Sequence, residues 1–124
     1  MDLETMRPNP AWDPVAHEDA VDVLAAYATA VTIRVWGADW CPHCRRYLPD
    51  FAAALEAAGI PDDRVEIVAV DREKQGPGVE EFGIEYVPTI VLSVADEEVA
   101  RFVEEGPVPP AVALAEALSE REGA

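Results

Sequence analysis

Residues 65–70 form an almost unbroken apolar run. A run without strict alternation is the pattern of a strand covered on both faces, as paired parallel strands usually are. A second short run, residues 31–36, is β-branched and stops at Gly37, so it too reads as a buried strand. Residues 89–94 and 98–103 read as a hairpin across Ala95-Asp96-Glu97, a turn without the usual glycine.

Helical signals fill the intervals. Asp13-Pro14 is a helix start, with Asp13 as N-cap and Pro14 in the first turn, where its missing N–H costs nothing. The helix predicted over 15–28 places Ala16, Ala20, Val23, Leu24 and Tyr27 on one stripe and leaves His17 solvated. A second helix begins at Cys41 with Pro42 in its first turn, runs through Phe51, Leu55 and Ala58, and closes at Gly59. Pro49 lies inside it and is expected to bend it between Tyr47 and Phe51. Residues 71–78 read as a loop, 79–82 as a short helix before Gly83, and 111–118 as the last helix. Residues 1–13 are expected to form an arm and 120–124 a polar tail, within one domain spanning 1–124. The fold class expected is α/β, a central mixed sheet of about four strands with helices on both faces.

With 124 residues the chain is long enough to bury one core without disulfide staples. Its two cysteines are therefore available for chemistry. The 25 acidic against 9 basic side chains give a formal charge of -16, which disfavours nucleic acid and anionic lipid as partners. No apolar stretch approaches a membrane span, and residues 1–10 lack the order of a leader, so a soluble cytoplasmic protein is expected. Eight arginines accompany the single lysine, Lys74. Such an acid-rich, lysine-poor surface suits a solvent of molar salt, where screening removes self-repulsion; an acidic protein of ordinary habitat is the alternative. The halophilic reading expects stability to fall as salt is diluted from molar to about a tenth molar.

The motif Trp40-Cys41-Pro42-His43-Cys44 carries the chemistry. Cysteines two residues apart at a helix start can close a small disulfide ring, and the first meets the unpaired amides and positive end of the helix. Cys41 is thus the expected attacking thiolate. Cys44, one turn further in and less exposed, would resolve the mixed disulfide. His43, within the Pro42-His43 dipeptide, and Arg45 and Arg46 favour the thiolate, whereas Asp39 opposes it. Stabilising the thiolate raises the reduction potential, by roughly 30 mV for about 1.4 kcal/mol. His43 should therefore make the pair a weaker reductant than a small neutral residue would.

These residues resemble the thioredoxin superfamily from about Val31 to the last helix. Trp40-Cys41-x-x-Cys44 is similar to its active-site motif, Pro49 falls at its helix proline, and Val87-Pro88-Thr89 resembles its cis-proline segment. The resemblance implies a thioredoxin fold, thiol-disulfide exchange without a bound cofactor, and a substrate groove formed by Trp40, Val87, Pro88 and Thr89. It further implies protein disulfide substrates, a disulfide reductase or other thiol protein as partner, and a monomer. Tyr86 would join the groove wall, and Trp36 would be core. The Pro-His dipeptide is similar to that of periplasmic disulfide oxidases, but their helical insertion is missing, and no Gly-Gly pair follows the hairpin as in glutaredoxins. Val35 and Ile67 stand where thioredoxins carry an aspartate and a lysine, which leaves Cys44 without an evident base. Other readings of the two cysteines are a structural disulfide, a zinc or iron-sulfur half-site of Cys41, Cys44 and His43 completed in a dimer, and a redox-sensing module without turnover.

Overall fold

The computed structural model describes residues 6–95, 97–103 and 108–123, with backbone only for 121–123. Among these residues four strands, β1 (Val31–Gly37), β2 (Val65–Ala69), β3 (Thr89–Val94) and β4 (Glu97–Val103), form one sheet in the order β2-β1-β3-β4. The helices are α1 (Glu18–Ala26), α2 (Pro42–Ala58), α3 (Val79–Phe82) and α4 (Pro110–Gly123). β1 pairs parallel with β2 and antiparallel with β3, so the sheet is mixed as expected.

The run at 65–70 has the predicted parallel partner but not the predicted cover. Among the described residues β2 is an edge strand, and only Val68 within it is buried. Glu66 faces solvent and lies 3.6 Å from Arg34 on β1, which is how this edge carries charge. The buried centre is β1 and β3, where Val31, Ile33, Val35, Ile90, Val91 and Leu92 have no exposed surface.

Helices lie on both faces, unequally. α1, α2 and α4 pack on one another, and α2 meets the sheet where Tyr47 stands edge-on to Phe102 with ring centroids 5.4 Å apart. Phe102 is in register with Ile90, and Ile90 with Val35. The alternate residues Trp36 and Arg34 therefore point to the other face, where the short α3 supplies Phe82: its ring is 5.0 Å from Trp36 and 5.3 Å from the Arg34 guanidinium.

Local chemistry accounts for the element ends. Asp13 accepts a hydrogen bond from the Val15 amide at 2.9 Å, as a cap should, but the first turn is 3-10 over Val15–His17 and the α-helix begins only at Glu18. Ala16 consequently falls off the core stripe and is exposed, while Ala20 and Leu24 are buried. His17 is not solvated either; it is half-buried and stacks on Trp12 with centroids 5.0 Å apart. α2 runs on through Pro49, and the arm docks beside that proline: the Asn9 amide donates to its carbonyl at 3.1 Å and the Asn9 side-chain amide to Asp50 at 2.8 Å. Ala95 takes the left-handed φ of 54° at the hairpin turn, while Asp96 lies outside the described residues, as do 1–5 of the arm, 104–107 and Ala124. β4 starts one residue earlier than predicted. α4 continues to Gly123, so the backbone of 120–123 is helical where a tail was expected.

Two glycines separate backbone strain from crowding. Gly59 ends α2 at φ 72° with open space where a Cβ would be, whereas Gly78 has φ 80° and its Cβ would lie 3.0 Å from the Trp36 ring. Gly59→Ala should cost about 1 kcal/mol through its left-handed backbone. Gly78→Ala adds overpacking against a side chain only 1% exposed, for a total of about 2–3 kcal/mol. Denaturant unfolding of the two variants checks this, and equal losses would contradict the crowding at Trp36.

Candidate active site

β1 runs out at Gly37, and Ala38 to Trp40 turn the chain into α2 with Cys41 as its N-cap at φ -89°, ψ 122°. Pro42 occupies the first helical turn, where its fixed φ suits the helix and no amide is lost. The arrangement puts Cys41 at the mouth of the helix and Cys44 one turn inside. Both are free thiols and both are buried, Cys41 at 6% exposure and Cys44 at 0%.

The two sulfurs have different partners. The Cys41 thiol donates to the Val87 carbonyl at 3.5 Å, which ties the helix mouth to the segment before β3. The Val87–Pro88 peptide bond is cis. The Thr89 hydroxyl donates to the Tyr86 carbonyl at 2.6 Å and closes this segment into a turn. Cys44 Sγ instead accepts a hydrogen bond from the Ala38 amide at 3.4 Å.

Burial pushes the Cys44 thiol up from the ordinary 9.0 to about 12; the neighbouring Cys41 and the Asp39 carboxylate act in the same direction, and the Ala38 amide opposes them. Val35 and Ile67 are register partners on β1 and β2, and Val35 is fully buried. An apolar pair thus occupies the two sheet positions singled out in the sequence. No charge there offsets the cost of ionising Cys44.

The other predicted residues separate by depth. Val87, Pro88 and Thr89 are buried, Trp40 and His43 are half-buried, and Pro42 is exposed. Trp36 is core, though its indole N–H also donates to the Pro77 carbonyl at 2.8 Å and holds the loop after β2. Tyr86 is 48% exposed beside Val87.

Two residues were given no role at the site in the sequence. The Arg72 guanidinium lies 5.6 Å from the Trp40 ring centre, and the Lys74 ammonium 5.4 Å from that of Tyr86. Their loop is a turn organised by Asp71, whose carboxylate accepts the amides of Glu73 at 2.9 Å and Gln75 at 3.0 Å. An aspartate opening a polar stretch was the legible signal for that turn; which rings the cations would meet was not.

A hollow of about 830 Å³ lies between residues 6–8 of the arm, the end of α2 and β2, and none of the motif residues lines it. Among the described residues no group of three or more His, Cys, Asp and Glu side chains is placed to hold a metal ion, and no helix is long and apolar enough to cross a membrane.

A Cys-x-x-Cys pair at the junction of a central strand and a helix, its first thiol bonded to the residue before a cis-proline, defines a class of α/β dithiol proteins. The chain belongs to the thioredoxin family, a family of thiol-disulfide oxidoreductases: the family profile described as Thioredoxin matches residues 15–118. Protein disulfide-isomerase A2 of Pongo abelii is 26% identical over 88 residues, which cover 65% of this chain and 17% of that protein. The chain thus spans about a sixth of that relative's length. The crystal structure of Trxlp from Edwardsiella tarda superposes with a TM-score of 0.53 at 22% identity, covering 90% of this chain and 96% of that one. A thioredoxin from Halobacterium salinarum superposes with a TM-score of 0.50 at 18% identity, covering 97% and 94%. At these identities the likeness to solved structures is one of fold.

Proposed function

We propose that the protein exchanges disulfides with protein substrates through a redox-active Cys41-Cys44 pair. The observation that carries this reading is the asymmetry of the two sulfurs: Cys41 sits at the helix mouth against the Val87 carbonyl, while Cys44 is sealed one turn deeper under the Ala38 amide. As a thiolate, Cys41 attacks one sulfur of a substrate disulfide; a mixed disulfide forms and the other substrate sulfur leaves as a thiolate that takes up a proton. Cys44, giving its proton to solvent, then attacks Cys41 Sγ. The Cys41-Cys44 disulfide forms, and the second substrate thiol is released. Two electrons have passed to the substrate, and a partner reductase or other dithiol protein returns them. The cycle needs no group beyond the two sulfurs.

Trp40 and the Val87-Pro88-Thr89 segment form the walls against which an extended substrate lies. Tyr86, exposed on the same segment, continues the wall outward. Pro42 and His43, between the cysteines, tune the equilibrium between dithiol and disulfide. The test is reduction of insulin disulfides by a thiol reductant, with and without the protein. Turnover that depends on Cys41 supports exchange, and binding of insulin without turnover supports the redox-sensing reading instead.

A further inference from the structure

The chain has 25 carboxylates for 9 basic side chains, so every cation could find an acidic partner more than twice over. On the sheet face they do. Arg34 pairs with Glu66 at 3.6 Å, and Arg101 meets both carboxylate oxygens of Glu98 at 2.9 and 3.0 Å. The other arginines with described side chains and the lysine form no ion pair among the described residues: Arg7, Arg46 and Arg64 elsewhere, and Arg72, Lys74 and Arg45 at the cysteine end. Arg72 and Lys74 rest instead on the rings of Trp40 and Tyr86, the two aromatic walls of the groove. Arg45 is exposed one turn beyond Cys41, whose carbonyl accepts its amide at 3.1 Å.

Held over a ring face, a cation keeps its outward donors available while losing fewer conformations on meeting an anion. The loop fixes both residues in place. Asp71 gives its carboxylate to two amides, and the Lys74 amide donates to the Asp71 carbonyl at 2.8 Å. Asp39, Asp71, Glu73 and Glu85 are exposed around them, with the Asp71 carboxylate engaged by two amides, so the rim is not basic overall and any preference rests on contact with the two cations. On a chain of charge -16, two cations held against the groove walls are still a local concentration of positive charge.

From this geometry we infer that Arg72 and Lys74 form a selective rim, which favours protein disulfides flanked by acidic residues. The inference rests on the exchange function proposed above and names the substrate class of that site. An acidic segment laid along Trp40 and Tyr86 brings carboxylates to the two unpaired cations; a basic segment meets them with repulsion. Long-range repulsion from the acidic surface opposes the approach at low salt. At half-molar salt the screening length is about 4 Å, so the distant field is lost while contact pairs remain.

The experiment uses three disulfide peptides of one length, with acidic, neutral or basic flanks, and measures kcat/KM at half-molar salt. Two exposed contact pairs predict an acidic-to-neutral ratio of about three to five and an acidic-to-basic ratio of about ten. In the Arg72→Gln, Lys74→Gln double variant both ratios should fall to about one, and in Arg72→Lys, Lys74→Arg they should persist, because charge and not loop shape carries the effect. Wild-type ratios at or below one, or ratios untouched by the neutral double variant, would overturn the rim while leaving exchange intact. Failure to turn over even the neutral peptide would overturn both.

Discussion

Release of a mixed disulfide on Cys41 is expected to accelerate about tenfold for each pH unit between 7 and 9. Cys44 must be a thiolate to attack, and burial holds its thiol up at about 12. At pH 7 the fraction ionised is then about one in 10⁵, and it rises tenfold per unit because the pH stays well below the titration point. Forming the mixed disulfide removes the charge of Cys41 as a neighbour, but burial, the largest cause, remains, as does Asp39. The dependence therefore persists in the intermediate. It is measured by loading Cys41 with a chromophoric thiol and following its release by stopped flow from pH 7 to 9. A rate flat across that range would mean that a base near Cys44 takes its proton, contrary to the apolar Val35 and Ile67 pair found at the two sheet positions.

Cys41→Ser should lower insulin reduction by about 10³-fold or more, to the background of the reductant, because a serine hydroxyl is not ionised near neutrality and cannot form a mixed disulfide. Cys44→Ser should also stop turnover, but at a different point. The first attack still occurs, and the substrate stays bound through Cys41, visible as a covalent adduct that reductant removes. Mass spectrometry of the two variants after exposure to a disulfide peptide separates the roles. An adduct on Cys44 in the Cys41→Ser variant, with none on Cys41 in the other, would reverse the assignment. The 6% against 0% exposure of the two residues sets the expected order.

Where adjacent residues decided the structure, the sequence was legible. β1, the helix opening at Cys41-Pro42 and the close of α2 at Gly59 follow from β-branched residues, a proline tolerated in the first turn and a glycine free to take positive φ. The approach of Val87-Pro88 to Cys41 was legible through the family resemblance alone, since bonded partners 46 positions apart carry no local signal of it. What failed depended on neighbours far along the chain. The run at 65–70 looks fully buried by composition, but among the described residues β2 has a partner on one side only, and Glu66 is exposed on it. Ala16 lies on the correct stripe for an α-helix, yet the first turn is 3-10 and its spacing carries Ala16 out to solvent. Arg72 and Lys74 read as loop charges until the fold sets them over Trp40 and Tyr86.

The central claim, that Cys41 and Cys44 cycle as one two-electron couple, is tested most directly by a redox titration. The protein is equilibrated with graded ratios of reduced and oxidised dithiothreitol or glutathione at half-molar salt, and the free thiols are counted by alkylation and mass. The account predicts a single transition in which both thiols disappear together, with a tenfold change in the ratio of forms per ~30 mV, and no such transition in Cys41→Ser. Thiols that stay reduced at every ratio, or that are lost one at a time to separate adducts without an internal disulfide, would contradict it.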